Sequence, residues 1–212
     1  MNVYILRHGE TLNNLNNITQ DVNDDIELTE SALIELSDSM YDICRKLNGT
    51  AIICSTMLRA KQTAAEISKS LTYSGKGHTM MFTTDLNEVN FGDFGSNKEG
   101  FEINGLTMKD YRNLMVTEHL NLLRKRPLSV KYPNGEAFGQ IIERCKNIIK
   151  RIELCKTQGY DTVILVGHNR LFRHLLVLLG YWQPSNMFDC KLPHSKLLDI
   201  TNVCSNLGIG IK

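Results

Sequence analysis

Three short runs of strand-forming residues dominate the chain: Val3-Tyr4-Ile5-Leu6, Ala51-Ile52-Ile53-Cys54 and Thr162-Val163-Ile164-Leu165-Val166. Each is apolar at successive positions and ends in a polar cluster, and segments of helical period lie between them. Such runs read as strands buried on both faces. Strands alternating with helices argue for an α/β fold, a three-layer α/β/α sandwich on a mostly parallel central sheet. A shorter strand is expected at Met80-Met81-Phe82-Thr83, and two weaker ones between Ser195 and Ile211, around Asn202.

The helical segments carry their own signals. Thr29 is placed as an N-cap, with Leu28 and Leu33 as a hydrophobic staple. Leu33, Leu36, Met40, Ile43 and Leu47 follow at helical spacing until Asn48-Gly49. A second helix runs from Met57 to Leu71 and stops at Ser74-Gly75, and a third covers about 107–123. Gly135 to Lys156 is amphipathic through Ile141, Ile142, Cys145, Ile148, Ile149 and Ile152. A last helix presents Leu171, Leu175, Leu178 and Leu179, and Trp182 nearby reads as core. Residues 84–106 look irregular and Gly-rich.

A chain of 212 residues fits one domain, 1–212, in which 84–132 is an irregular and helical insertion forming part of a cap. The 24 basic and 23 acidic residues leave a formal charge of +1, which gives no footing for nucleic-acid or membrane-surface binding. No apolar run approaches the roughly 18 residues of a membrane span, and Arg7-His8 interrupt the first strand too early for a signal peptide. The six cysteines form no C-x-x-C pair. They read as free thiols in a reducing, cytoplasmic setting rather than as disulfides or zinc ligands.

In open α/β sheets the ligand sits beyond the carboxyl ends of the strands. The first strand delivers Arg7-His8-Gly9-Glu10-Thr11 there, the second Ser55 with Arg59 one turn later, and the long run Gly167-His168-Asn169 at a helix start. If these strands are neighbours, two histidines and two arginines converge. Guanidinium forks and helix N-termini suit a phosphoryl group, and an imidazole with one nitrogen held deprotonated is a nucleophile toward phosphorus. No Walker loop, G-x-G-x-x-G turn or metal triad is present.

With these residues assembled, the chain resembles the histidine phosphatase superfamily, also called phosphoglycerate mutase-like. The R-H-G-E-T-x-x-N signature stands as Arg7-His8-Gly9-Glu10-Thr11-Leu12-Asn13-Asn14. Ser55 to Ala64 is similar to S-x-L-x-R-A-x-x-T-A, with the first apolar position displaced by one. Leu86-Asn87-Glu88-Val89-Asn90-Phe91-Gly92 matches the L-x-E-x-x-F-G acid motif, and Pro133-Asn134-Gly135-Glu136-Ala137 the P-x-G-E-S motif. Gly167-His168-Asn169-Arg170-Leu171-Phe172-Arg173 stands for S-H-G-G-x-x-R.

The resemblance implies a metal-independent phosphomonoesterase without a cofactor, acting on a small phosphorylated metabolite. His8 would carry the phosphoryl group, and Arg7, Arg59 and His168 would hold its equatorial oxygens. Glu88 would serve the leaving oxygen and then water. Asn14 and the Asn169 backbone would be further phosphate contacts, and Glu10, Thr11 and Arg170 candidate substrate contacts. The reading allows a homodimer.

Two alternatives stay open: a phosphomutase, and a silent binder of phosphorylated ligands. The 40 residues between Gly92 and Pro133 are few for the cover a mutase needs, and intact His8, Glu88 and His168 argue against a silent binder. Departures from the family pattern are Ala32 for a glycine, Phe94-Gly95-Ser96 for W-E-G, and Asn169-Arg170 for Gly-Gly. Arg170 is expected to favour a substrate with a second anionic group. His174 reads as packing or surface, Arg173 as a prop for the His168 loop, and His78, His119 and His194 lie outside the motifs.

Overall fold

The computed structural model describes residues 1–97 and 100–206. Strand β1 (Asn2–Arg7) leads through a one-turn helix α1 (Leu12–Leu15) and a loop to α2 (Glu30–Cys44). Then come β2 (Thr50–Ser55), α3 (Leu58–Tyr73) and β3 (His78–Thr83). Two 3₁₀ turns precede a small hairpin, β4 (Glu102–Ile103) with β5 (Leu106–Thr107), which runs into α4 (Met108–Leu123). The rest is α5 (Phe138–Thr157), β6 (Thr162–Gly167), α6 (Asn169–Leu178), β7 (Leu197–Asp199) and α7 (Thr201–Asn206).

The five-stranded sheet has the order β3-β2-β6-β1-β7. The first four strands are parallel, and β7 closes the edge antiparallel to β1. The period of two along each central strand sorts the core into two halves. Val3, Ile5, Ala51, Ile53, Val163 and Leu165 face the side covered by α5 and α6. Leu6, Ile52, Cys54, Ile164 and Val166 face α2 and α3. The sheet is therefore covered on both sides, which is the three-layer α/β/α arrangement.

Thr29 caps α2 as its sequence predicts, taking the Ala32 N–H on its hydroxyl at 3.2 Å. The ten-residue α6 is too short to persist alone. It is held by the burial of Leu171, Phe172, Leu175 and Leu176, each worth about 1.5–3 kcal/mol.

Two expectations are corrected. Residues 84–106 contain 3₁₀ turns and the β4–β5 hairpin rather than irregular chain alone. The tail holds one strand, β7, and then a helix, not two strands around Asn202. Asp199 accepts the Thr201 N–H at 2.8 Å, and Thr201 Oγ1 accepts the Val3 N–H at 2.9 Å. These bonds turn the chain off the sheet edge into α7. The remainder of that expectation, 207–211, lies outside the described residues. All six cysteines are free, and four are buried. No described helix is long and apolar enough to cross a membrane.

Candidate active site

Because β6 lies between β1 and β2, the register sets Arg7 opposite Gly167 and Cys54 opposite Val166. The carboxyl ends of three strands thus release His8, Ser55 and His168 at one edge. The imidazoles of His8 and His168 meet there with ring centroids 5.1 Å apart and planes tilted by 52°. Both rings are buried.

Each ring has one nitrogen committed. His8 Nδ1 lies 2.7 Å from the Gly9 carbonyl oxygen, so this nitrogen donates and Nε2 keeps its lone pair. Ser55 donates its hydroxyl to Asn87 Oδ1 at 2.7 Å, so it accepts from His168 Nε2 at 2.9 Å. That leaves His168 Nδ1 without a proton and buried without a partner. Burial, and then the nearby Arg59 guanidinium, push both imidazoles well below the ordinary histidine value. Both rings are therefore neutral at neutral pH.

Two guanidinium groups complete the wall. Arg59 is fully buried and donates Nη1 to the Asp24 carbonyl at 2.7 Å, while its Nε and Nη2 have no partner. Arg7 donates Nη1 to the Leu192 carbonyl at 3.2 Å, and its Nε is likewise unmatched. Burial draws Arg7 down to about 10 and lowers Arg59 as well, with Glu88 opposing both shifts. A buried donor without an acceptor costs about 1–3 kcal/mol. Three such donors on the cleft lining, with the buried His168 ring beside His8 but outside that lining, describe a site built for an oxyanion.

Glu88, on the loop after β3, is buried. Its carboxylate accepts the backbone N–H groups of Arg170 and Leu171, each at 3.2 Å. It thereby satisfies the amino end of α6, where His168 offers no side-chain cap. A brace holds the loop: Glu136 accepts the Asn90 N–H at 3.2 Å and pairs with Arg144 at 2.7 Å. Gly92, at φ +55°, passes so close to the next loop that a Cβ would fall 1.9 Å from the Pro133 oxygen. The glycine is required there on both counts.

The cleft has a volume of about 140 Å³. Arg7, His8, Arg59, Glu88, Asn14, Asn169 and Arg170 are among the residues that line it. Arg170 is itself buried, its guanidinium 4.8 Å from the Phe188 ring centroid and 5.4 Å from that of Phe91. An outer hollow of about 350 Å³ adjoins the cleft and shares Arg7 and Asn14 with it. Glu10 lies on this outer wall. Thr11 is not in either lining: it is fully buried, and its hydroxyl is spent on Asn14 and Gln20 in capping α1. Asn169 turns its side-chain oxygen to Arg173 at 2.9 Å, leaving its backbone at the cleft.

Five residues outside the sequence motifs reach the outer hollow: Asn17, Ile18, Thr19, Arg112 and His194. His194 is set by an isolated bridge to Arg7 and by Nδ1 at 2.8 Å from the His8 carbonyl oxygen. The sequence offered no motif or periodicity that would have pointed to His194. His174 and His119 form a buried pair, Nδ1 to Nε2 at 2.9 Å, remote from the cleft lining. Among the described residues no group of three or more His, Cys, Asp or Glu side chains is placed to hold a metal ion. The positive field comes from guanidinium groups.

Comparison with known proteins follows the same lines. The profile of the histidine phosphatase superfamily (branch 1) matches residues 3–202. A search of curated protein sequences gives no match. Among solved structures, the chain is similar to an Escherichia coli protein provisionally described as an alpha-ribazole-5'-P phosphatase, with 21% identity, 96% of this chain and 92% of that one covered, and a TM-score of 0.66. It is similar to a mutant phosphoserine phosphatase from Entamoeba histolytica in complex with phosphoserine, with 19% identity, 92% and 88% coverage, and a TM-score of 0.65. A mycobacterial glucosyl-3-phosphoglycerate phosphatase complexed with VO3 gives 18%, 92% and 88%, and 0.63.

Proposed function

The chain belongs to the histidine phosphatase superfamily, and from that premise we propose that it is a metal-independent phosphomonoesterase acting on a small phosphorylated metabolite through a phosphohistidine on His8. The observation that carries the reading is the Nδ1–H bond from His8 to the Gly9 carbonyl, which leaves Nε2 as a lone pair beside unmatched guanidinium donors. The phosphatase names of the structural relatives support the activity.

In this reading His8 Nε2 attacks phosphorus, and the bond from phosphorus to the ester oxygen breaks. Arg7 and Arg59 hold the equatorial oxygens, where charge spreads in the transition state. His168 Nδ1 takes up the proton of the monoanionic ester and donates it in a hydrogen bond to a third oxygen. Glu88, in its protonated form, gives its proton to the departing alkoxide. Its carboxylate then takes a proton from water, the hydroxide attacks phosphorus, and the P–N bond breaks. Asn14 and the Asn169 backbone contact the phosphate edge. The segment 84–132 supplies one wall through Glu88, Phe91 and Arg112, the part of a cap within a single domain.

Hydrolysis is favoured over mutase action because only 40 residues separate Gly92 from Pro133, few for the cover that a mutase needs over its phosphohistidine.

The test is a screen of phosphorylated metabolites for phosphate release, with rapid quench to trap the phosphoenzyme. The wild type is expected to give an acid-labile, base-stable adduct and to turn over in the presence of chelator. His8→Ala is expected to lose the adduct and at least about a thousandfold in turnover. Undiminished turnover by His8→Ala overturns the assignment, and strong inhibition by EDTA overturns its metal independence.

A further inference from the structure

His194 is the one histidine near the nucleophile that the phosphoryl-transfer steps do not use. Its ring centroid is 5.4 Å from that of His8, with the planes at 64°. Its Nδ1 lies against a carbonyl oxygen, that of His8, and so carries the proton. Its Nε2 is then a hydrogen-bond acceptor. The half-buried ring lines the outer hollow. Burial, followed by the charge of Arg7, draws this imidazole down to about 4. At neutral pH it is therefore not a cation for the phosphate.

The same wall offers complementary groups. Glu10 contributes acceptor oxygens. The Asn14 oxygen is taken by the Thr11 N–H at 3.1 Å and the Thr11 hydroxyl at 3.0 Å, so Asn14 presents its NH2 donors. Arg7 and Arg112 add guanidinium donors to the same hollow, so its lining both donates and accepts, which matches hydroxyl groups, since they do both. A hollow that joins the cleft is where the alcohol part of an ester extends once its phosphate is seated.

We propose that His194 is a specificity-determining residue, whose Nε2 accepts a hydrogen bond from a hydroxyl on the alcohol part of the substrate and so selects polyhydroxylated phosphate esters over alkyl ones of the same size and charge. The inference rests on the phosphomonoesterase reading above. His194 also tethers the His8 backbone, and the test separates the two roles. In His194→Asn the shorter amide reaches the Nδ1 position and can keep the bond to the His8 carbonyl, but nothing replaces Nε2. In His194→Gln the amide reaches toward the Nε2 position.

The measurement is kcat/KM for two matched pairs, glucose 6-phosphate with cyclohexylmethyl phosphate, and glycerol 3-phosphate with propyl phosphate. The wild type is expected to prefer the hydroxylated member of at least one pair. His194→Asn is expected to lower that preference about tenfold, the worth of one hydrogen bond, over and above any loss it causes on the alkyl ester. His194→Gln is expected to regain part of it. A parallel fall on both members, or a preference unchanged in His194→Asn, overturns the proposal and leaves His194 a tether. A wild type that releases phosphate from no ester and forms no phosphoenzyme overturns the phosphatase reading, and the selectivity with it.

Discussion

His168 packs its ring beside His8 and spends one nitrogen on Ser55: its ring centroid stands 5.1 Å from that of His8, while Nε2 lies 2.9 Å from the Ser55 hydroxyl. The hydroxyl is in turn oriented by Asn87, which accepts from Ser55 Oγ and from the Thr56 N–H and hydroxyl. This relay fixes the tautomer in which Nδ1 is bare. Ser55→Ala leaves a buried N–H without an acceptor, a loss of about 1–3 kcal/mol, and frees the ring to turn. The expected result is a fall in kcat of about tenfold to a hundredfold with little change in KM. Steady-state kinetics and circular dichroism on the variant check it, and an unchanged kcat would show that His168 does not depend on the relay.

The buried pair of His119 and His174 makes a separate prediction about acid stability. His119 is drawn down to about 4 by burial, and His174 falls well below the ordinary value of 6.5 through burial and then the charge of His119. Below about pH 6.5 the unfolded chain protonates these rings, while the folded chain resists until about pH 4 for His119. Unfolding thus takes up protons in that window, and stability falls as pH falls, by about 1.4 kcal/mol per pH unit for each such ring. Urea unfolding between about pH 7.5 and 5 should show this slope. His119→Gln keeps a hydrogen-bonding partner for His174 without a titrating ring, and should make the slope shallower by roughly one ring's contribution. Identical slopes would contradict the assignment.

The contrast between these sites marks how far sequence reasoning reaches. Strands such as Val163 to Val166 were legible because apolar residues at consecutive positions demand cover on both faces, and the covered strands then carry His8 and His168 to one edge. The Glu88 loop was legible only through its motif. A carboxylate in a loop has no periodicity, and its bonds to Arg170 and Leu171 span 82 and 83 residues of chain. His194 and the His119–His174 pair depend on contacts 186 and 55 residues apart. The strand that positions His194 has three residues, too few for a pattern. Thr201 misled because its role, accepting the Val3 N–H, belongs to a neighbour in space and not in sequence.

Arg170 lines the cleft with its guanidinium against the rings of Phe91 and Phe188. Aromatic faces on a guanidinium leave its charge intact while excluding water from it. An anionic group on the substrate that reaches this fork gains a charge-assisted contact of about 1.5–3 kcal/mol. Arg170→Ala should therefore cost esters with a second anionic group about tenfold or more in kcat/KM beyond its effect on singly charged esters. Equal losses on both kinds of ester would assign Arg170 to packing alone.

The last prediction concerns the brace behind Glu88. Arg144 Nη1 donates to both Glu136 oxygens, at 2.8 and 2.7 Å, and the same guanidinium reaches the backbone oxygens of Asp85 and Asn87. The pair is 18% and 10% exposed, so it is shielded enough for its loss to be felt. Withdrawing one partner of a buried pair leaves the other charged and unmatched, at about 3 kcal/mol. Glu136→Gln keeps the shape and removes the charge. It should destabilise the fold by up to that amount and loosen the turn from Asn87 to Asn90 that aims the Glu88 carboxylate. Because the Arg7 and Arg59 contacts do not pass through Arg144, inhibition by inorganic phosphate should change far less than kcat, which falls about tenfold. A variant that loses stability but keeps kcat would show that Glu88 holds its place through α6 alone.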